Sequence, residues 1–385
     1  MEQVISSDFK LGIISGGQLG KMMIDPANKW DVQTYVLDAS ADCPSAKICH
    51  DFTLGDVKDY DAVFQFGQKV DMIALEVENV NVEALVALKA QGKKVFPDPD
   101  ILKIIQDKGL QKEFYANHQI PTANFELYKN QEDIITAVNT GEITLPFVQK
   151  TRTEGYDGKG VKIVKSEEDL NNLLDGASVI EDLTDIKKEL SVIVAQNTNG
   201  EIGAFPTVEM VVNENANLVE QLICPAAISN DIKIQAEELA IDLIKKLNLE
   251  GILAVELFLT HDDKILVNEV APRPHNSGHH TIEGTITSQY EQYLRAILGF
   301  PLGDTTIKLP AVMINLLGEP NHNGKVKYEG IDESMALSGV NIHIYGKKET
   351  RPFRKMGHVT IIDKDINKAI DKANKVKQQL KVKAW

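Results

Sequence analysis

Two apolar runs, Gly251 to Thr260 and Ile265 to Val267, flank the polar stretch His261, Asp262, Asp263 and Lys264, and they constrain this chain more than any other feature. They read as a β-hairpin with a tight polar turn. With Asp262 and Asp263 as a two-residue loop, His261 pairs with Lys264. Glu256 then falls opposite Glu269, on the face that carries Phe258 and Val267. Like charges facing each other across a ladder cost a few tenths to about 1 kcal/mol. A divalent cation between them removes the conflict, and carboxylate and amide oxygens suit Mg²⁺ better than Zn²⁺. Asn268 points to the other face of a regular strand, so it reaches such a metal only if the pairing ends or twists there. An ordinary exposed hairpin face is the competing reading.

The chain continues into Pro272-Arg-Pro-His-Asn-Ser-Gly-His279, where Arg273 sits between two residues of fixed φ in a stiff loop. A carboxylate fit for a hard cation, followed by donors fit for an anion, suggests a metal-phosphate site.

At 385 residues there is room for two or three domains, each with its own core. The net charge of −15 argues against a general nucleic-acid binder. No apolar run approaches a membrane span, and the N-terminal Met-Glu-Gln-Val has no signal-peptide pattern, so a cytoplasmic protein is expected. Cys43, Cys49 and Cys224 lack paired spacing and read as reduced thiols; a zinc site from Cys43, Cys49 and His50 is disfavoured.

Residues 10 to 108 alternate strand and helix patterns, with strands at Leu11 to Ser15, Gln33 to Asp38, Met72 to Val77 and Lys94 to Phe96, which implies a parallel sheet with crossover helices. A second unit, rich in β patterns and interrupted by a helix over Ile232 to Leu247, extends to Ile297. The last unit mixes strands with a lysine-rich helix whose apolar positions are Ile366, Ile370, Ala373 and Val376, a helix packed on its own domain. The fold class is therefore α/β and α+β.

Three loops look suited to phosphate. Ser15-Gly-Gly-Gln-Leu-Gly20 nearly meets the dinucleotide pattern G-x-G-x-x-G, with Ser15 in place of the first glycine and Asp38 ending the next strand; a plain tight turn competes with this reading. Gly155-Tyr-Asp-Gly-Lys-Gly160 lies between strands ending at Lys150 and starting at Val161, which reads as a flap that folds over a nucleotide triphosphate with Lys150 and Lys159 as counter-charges. Tyr345 to His358 gathers five lysines and arginines and a histidine in an acidic chain, which suggests an anionic small molecule.

A glycine-rich flap, a lysine on the strand before it, two acids on a later hairpin and Asn-Glu ahead of Pro-Arg together resemble the ATP-grasp fold over nearly the whole chain. Within it, Gly16 to Gly20, Gly155 to Gly160, Asn268 to His279 and Arg351 to His358 resemble the N5-carboxyaminoimidazole ribonucleotide synthetases of purine biosynthesis. The resemblance implies an N-terminal Rossmann-like domain over 1–108 and a central ATP-grasp domain over 109–297. That central domain divides into a flap-bearing part, 109–180, and a metal and nucleotide part, 181–297. A small mixed C-terminal domain, 298–385, follows.

The resemblance further implies ATP held by Lys108, Lys150, the flap from Gly155 through Tyr156, Asp157, Gly158, Lys159 and Gly160 to Val161, the segment Glu181, Asp182, Leu183 and Thr184, and Glu189. Two Mg²⁺ ions would sit on Glu256 and Glu269, with Asn268 beside the phosphates. Gln18, Leu19 and Glu76 would line the pocket for 5-aminoimidazole ribonucleotide, whose phosphate would meet Lys347, Arg354 and Lys355. Arg273, His275 and Asn276 would border bicarbonate. Tyr156, Asp157 or His275 would manage the amine's proton. Neither nucleic acid nor membrane is implied as a partner, and a homodimer is. Two departures stand out: Lys108 replaces the usual arginine after Asp107 and loses its bidentate fork, and Val212 stands where a histidine is usual. A formate-dependent glycinamide ribonucleotide transformylase shares the fold but lacks the His-Asn-Ser-Gly-His run. A nicotinamide oxidoreductase leaves the flap and the paired acids unexplained, and a regulator that only binds nucleotide would show no bicarbonate-dependent turnover.

Overall fold

The computed structural model describes residues 6–153, 155, 160–213 and 218–385. Tyr156, Asp157, Gly158 and Lys159 of the flap lie outside the described residues.

The alternating pattern at the start folds into β1 (Lys10–Ile14), α1 (Gln18–Lys29), β2 (Gln33–Asp38), β3 (Asp51–Leu54), α2 (Tyr60–Gln68), β4 (Met72–Leu75), α3 (Val82–Ala90) and β5 (Lys94–Phe96). The strands are parallel throughout, in the order β3-β2-β1-β4-β5. β1 and β4 are buried nearly end to end, as central parallel strands covered on both faces must be. The strand order reverses between β1 and β4, so a crevice opens at their carboxyl ends. Ser15 to Gly17 and Glu76 occupy that edge.

α4 (Pro99–Gln106) and α5 (Lys108–Asn117) lead out of this unit. Asp107 starts α5: its carboxylate accepts from Gly109 N at 2.7 Å and Leu110 N at 3.2 Å. The same carboxylate takes both ends of the Arg152 guanidinium, at 2.8 and 2.7 Å, which fixes how α5 presents Lys108 and Lys112. A four-stranded antiparallel sheet follows, built from β6 (Phe125–Tyr128), β7 (Phe147–Thr151), β8 (Val161–Val164) and β9 (Ser178–Asp182) in the order β6-β9-β7-β8, with α6 (Gln131–Thr140) against it.

The large sheet contains β10 (Ile186–Gln196), β11 (Ile202–Ala204), β12 (Val208–Asn213), β13 (Leu218–Cys224), β14 (Gly251–Thr260), β15 (Ile265–Ala271), β16 (Ala311–Leu317), β18 (Val340–Ile344) and β20 (Lys355–Ile362). Its order is β15-β14-β10-β12-β13-β16-β20-β18, with β11 on β10. Because β16 pairs with β13, the sheet runs from the central part of the chain into its C-terminal strands. β17 (Gly324–Glu329), β19 (Glu349–Thr350) and β21 (Lys381–Ala384) form a separate three-stranded sheet. α7 (Asn230–Leu247), α8 (Thr281–Gly284), α9 (Gln289–Ile297), α10 (Ile331–Met335) and α11 (Ile366–Gln379) complete the described elements. Ala373 and Val376 of α11 are buried against Val312, Ile314 and Val359, with Ile366 and Ile370 packed at the edge. Among the described residues no helix is long and apolar enough to cross a membrane.

Strand alternation decides which side of the large sheet carries chemistry. Leu190, Val192 and Val194 of β10 and Leu253, Val255, Leu257 and Leu259 of β14 pack with α7. Their neighbours in sequence, Ile193, Ala195, Ile252 and Ala254, pack instead with α1 and α9 in a core shared with the parallel sheet. Glu189, Ser191 and Glu256 lie on this second side, and Ser191 pairs directly with Glu256 across the ladder.

The hairpin differs from the sequence expectation in two compensating ways. Its loop has three residues, not two: Thr260 pairs with Lys264 through Thr260 N to Lys264 O, 3.0 Å, and Asp263 takes a left-handed φ of 58°. That moves the pairing by one residue, so Phe258 lies opposite Leu266, and Val267 lies opposite Leu257 in the α7 core rather than beside Glu256. A β-bulge between Glu256 and Leu257 moves it back, which leaves Glu256 opposite Glu269. Asn268 is the extra residue. A bulge re-aims the side chains it carries, so Asn268 serves the same cleft as Glu269 and not the opposite face.

Candidate active site

Two facing carboxylates form the floor of the cleft. Glu256 is shifted upward by burial and by the charges of Glu269 and Glu189. Glu269 is shifted downward: burial opposes ionisation, and the ammonium of Lys108, hydrogen-bonded to it, outweighs burial. Lys150 donates to Asn268 Oδ1 at 2.8 Å and pairs with Glu181 at 2.9 Å. Lys112 pairs with the other oxygen of Glu181 at 2.8 Å, with both side chains 4% exposed. Burial would raise Glu181, but these two ammonium groups hold it below the usual carboxylate range. Lys108, Lys112, Lys150, Asn268 and Glu269 line one small cavity. Three lysines on two carboxylates make a wall for a polyphosphate.

The oxygens of Glu256, Glu269 and Asn268 fit an open-sided Mg²⁺ site, which that ion completes with water and phosphate oxygens. Among the described residues no group of three or more His, Cys, Asp or Glu side chains is placed to hold a metal ion. Glu189 is half-buried on the same face and shifted upward by burial, with Lys150 pulling the other way. Glu181 acts here through its side chain. Asp182 takes the amide of Asn124 at 2.8 Å, and Leu183 and Thr184 lead on toward β10. At the foot of the flap, Val161 pairs with Lys150, and Gly160 has a φ of 76° with its carbonyl accepting from Thr151 N at 2.9 Å.

The loop after β15 forms a second wall. Arg273 pairs with Glu78 at 2.9 Å and donates to Pro274 O at 3.0 Å. His275 places Nε2 3.5 Å from Glu256 and holds Ser277 through Nδ1. Asn276 and Asn315 exchange amide hydrogen bonds at 2.9 and 3.0 Å.

The third side comes from the parallel sheet. Ser15 takes a φ of 72°, the left-handed conformation for which a glycine is usual. Asp38 is committed to this turn, accepting from Gly16 N at 2.8 Å and Ser15 Oγ at 3.3 Å, so it does not stand open for a ribose. Buried Glu76 accepts from Leu19 N at 3.0 Å and occupies the amino end of α1. A Cβ on Gly17 would lie 2.4 Å from Glu76 Oε1, so the chain needs glycine there. Burial shifts Glu76 upward. Gln18 opens the same turn of α1.

The basic C-terminal loop meets α1 through Lys21, which donates to Ile344 O at 2.9 Å. Lys347 donates to Lys355 O at 2.8 Å and Arg354 to Glu349 O at 2.7 Å, so both brace the loop. The charge of Lys355 acts on Glu256 and His279, which brings this loop to the Glu256 end of the cleft.

Residues 9–106 match the ribonucleotide synthetase preATP-grasp domain, 113–290 the ATP-grasp domain and 311–372 the phosphoribosylaminoimidazole carboxylase C-terminal domain. The N5-carboxyaminoimidazole ribonucleotide synthase of Bacillus subtilis is 38% identical, covering 94% of this chain and 93% of the relative. The chain belongs to the N5-carboxyaminoimidazole ribonucleotide synthetase family. A chloroplastic phosphoribosylaminoimidazole carboxylase from Vigna aconitifolia is 36% identical over 93% of this chain, which spans 64% of that longer protein. Of the solved synthetases, the one from Thermotoga maritima superposes with a TM-score of 0.90 at 41% identity, covering 98% of this chain and 100% of that one. The Aspergillus clavatus enzyme, solved with ADP and 5-aminoimidazole ribonucleotide, gives 0.87 at 30% identity, covering 96% and 100%. Membership makes the chain an ATP-grasp ligase with an ATP-binding fold.

Lys108 makes a single-point contact with Glu269. Val212 sits in β12 beside an irregularity in its pairing with β13. Sequence reasoning passed over Lys112, Glu78, Asn315 and Lys21. Lys112 lies one helical turn beyond Lys108, and Lys21 lies three residues beyond Gln18, so helical spacing was the available signal for both. Asn315 and Glu78 had no such signal, because their partners are distant in sequence.

Proposed function

We propose that the chain carboxylates the exocyclic amine of 5-aminoimidazole ribonucleotide with ATP and bicarbonate, giving N5-carboxyaminoimidazole ribonucleotide, ADP and phosphate in purine biosynthesis. The observation that carries this reading is the meeting of three walls at Glu256. The lysine wall is suited to polyphosphate, the Arg273-His275-Asn276 loop to a small oxyanion, and the crevice of Glu76 with the basic loop to a phosphorylated substrate.

A bicarbonate oxygen attacks the γ-phosphorus, the bond to the β-γ bridging oxygen breaks, and carboxyphosphate and ADP form. Such a step depends on charge cancellation and alignment more than on covalent help. Lys108, Lys150 and the flap from Gly155 to Val161 hold the phosphates, with Lys112 setting Glu181. Segment 181–184 and Glu189 hold the nucleoside. Mg²⁺ on Glu256 and Glu269, as two ions, would supply further charge neutralisation when bound. Arg273, His275 and Asn276 orient the bicarbonate. Gln18, Leu19 and Glu76 seat the ribonucleotide, whose phosphate meets Lys347, Arg354 and Lys355. The amine then attacks the carboxyl carbon, phosphate leaves, and the amine's proton passes to Asp157, Tyr156 or His275. Flap closure keeps water from the intermediate.

The proposed divisions are 1–108, 109–297 and 298–385, the proposed assembly a homodimer and the proposed compartment the cytoplasm. The test is ADP release with each component omitted in turn. Release that requires both bicarbonate and aminoimidazole ribonucleotide is expected; release driven instead by formate and glycinamide ribonucleotide would overturn the assignment.

A further inference from the structure

His275 has its ring held at Nδ1, with Nε2 3.5 Å from Glu256. The backbone N–H of Ser277 points at Nδ1 at 3.3 Å, and Ser277 Oγ lies 2.9 Å from the same nitrogen. A backbone N–H can only donate, so Nδ1 must accept and carries no proton. Ser277 Oγ therefore donates its own proton to Nδ1. The Oγ of Ser191, 2.8 Å away, must then donate to Ser277 Oγ. Ser191 and Ser277 are 0% and 1% exposed, so no solvent competes for these bonds.

The loop that holds this arrangement is itself clamped. Gln289 Oε1 accepts from His275 N at 2.9 Å, and Gln289 Nε2 donates to His275 O at 2.8 Å. Gly278 packs so closely on Gln289 that a Cβ there would lie 2.3 Å from Gln289 Oε1. The hydroxyl relay begins on β10 at the residue paired with Glu256, and the ring returns to Glu256 through Nε2 at 3.5 Å. The strand that carries the carboxylate's neighbour thus also fixes the imidazole above it.

We infer that Ser277 and Ser191 are positioning residues that lock His275 as the Nε2–H tautomer, so that His275 serves the reaction as a hydrogen-bond donor to the bicarbonate-derived oxyanion and not as the acceptor of the amine's proton. This rests on the proposed reaction and narrows it, leaving the flap to receive the proton. A donor that binds bicarbonate and the transition state equally acts on KM, whereas loss of a base lowers turnover.

The test uses full-length protein labelled with ¹⁵N-histidine, with His275→Gln assigning the resonance. The wild-type ring is expected to carry its proton on Nε2, and Nδ1 to resonate as an unprotonated acceptor. Ser277→Ala is expected to raise the bicarbonate KM about tenfold with kcat changed less than about threefold, the loss of one hydrogen bond. Ser277→Thr, which restores the hydroxyl, is expected to recover the KM. Ser191→Ala, remote from the loop backbone, is expected to show a smaller change of the same kind and decides the matter if Ser277→Ala does not fold. A proton on Nδ1 in the wild type overturns the inference, as does a serine-to-alanine change that lowers kcat while leaving the bicarbonate KM unmoved. Absence of bicarbonate-dependent ADP release in the wild type overturns the functional reading instead, and leaves the tautomer result standing.

Discussion

The two ends of the cleft treat buried carboxylates in opposite ways. On the ATP-grasp side, buried Glu181 meets two lysine ammonium groups and Glu269, its side chain 42% exposed, meets one, and both are shifted below the usual carboxylate range. On the parallel-sheet side, Glu76 is as buried as Glu181 but accepts from a backbone N–H, and burial outweighs the Ser15 hydroxyl and the Arg273 charge to shift it upward. For Glu76 and Glu181 residue type and burial are shared; the partner decides the charge. The lysine wall is thus a set of cations only partly neutralised and ready for phosphate, whereas the crevice at Glu76 is suited to a polar ring that exchanges hydrogen bonds. Among the described residues Glu256, between them, is paired with His275 and with no lysine in the way that Glu269 is.

This contrast is most exposed to tests at the floor. Glu269→Gln removes the partner of Lys108 and half of the facing pair, and ADP formation is expected to fall by at least about 100-fold in a coupled assay. Undiminished turnover would break the metal assignment. Next, Glu181→Ala leaves Lys112 and Lys150 buried without their counter-charge, and a loss of about 3–5 kcal/mol in urea unfolding is expected. An equally large loss for Glu76→Gln would remove the difference between the two ends.

A third test concerns pH. His279, His280 and His358 are buried, and burial pushes all three below the ordinary histidine range, His280 to about 4. Unfolded chains take up protons near pH 6.5 that the folded form refuses. Stability is therefore fully present above that pH and falls as pH drops below it, by up to about 1.4 kcal/mol per pH unit for each histidine. Urea midpoints at pH 7.5 and 5.5 check the sign. The smallest effect is expected at the basic loop: Lys347→Ala should raise the ribonucleotide KM about tenfold, the loss of one charge-assisted contact, with kcat little changed. An unchanged KM would move the phosphate site elsewhere.

Much of this arrangement was legible because it is periodic or local. Strand-helix alternation over residues 10–108 gave the parallel sheet, although β3 escaped notice: it is a four-residue edge strand without an apolar run. The opposition of Glu256 and Glu269 was also legible, through two errors that cancel. A three-residue loop and a bulge at Asn268 each move the pairing by one, and neither has a strong signature in the residues themselves. Contacts between distant segments were not legible. Lys112 with Glu181, Arg273 with Glu78 and Asn276 with Asn315 come together only after the sheets have packed, and no spacing rule reaches that far. The role of Asp38 was left open, because a carboxylate ending a second strand can either bind a ribose or hold its own glycine loop, and the structure shows the second.

The central claim is that the lysine wall and the oxyanion loop bring bicarbonate onto the γ-phosphorus of ATP. Turnover with ¹⁸O-labelled bicarbonate in the presence of aminoimidazole ribonucleotide measures this directly. One labelled oxygen from bicarbonate is expected in the inorganic phosphate released. Phosphate free of label, with its new oxygen drawn from water, would contradict the claim.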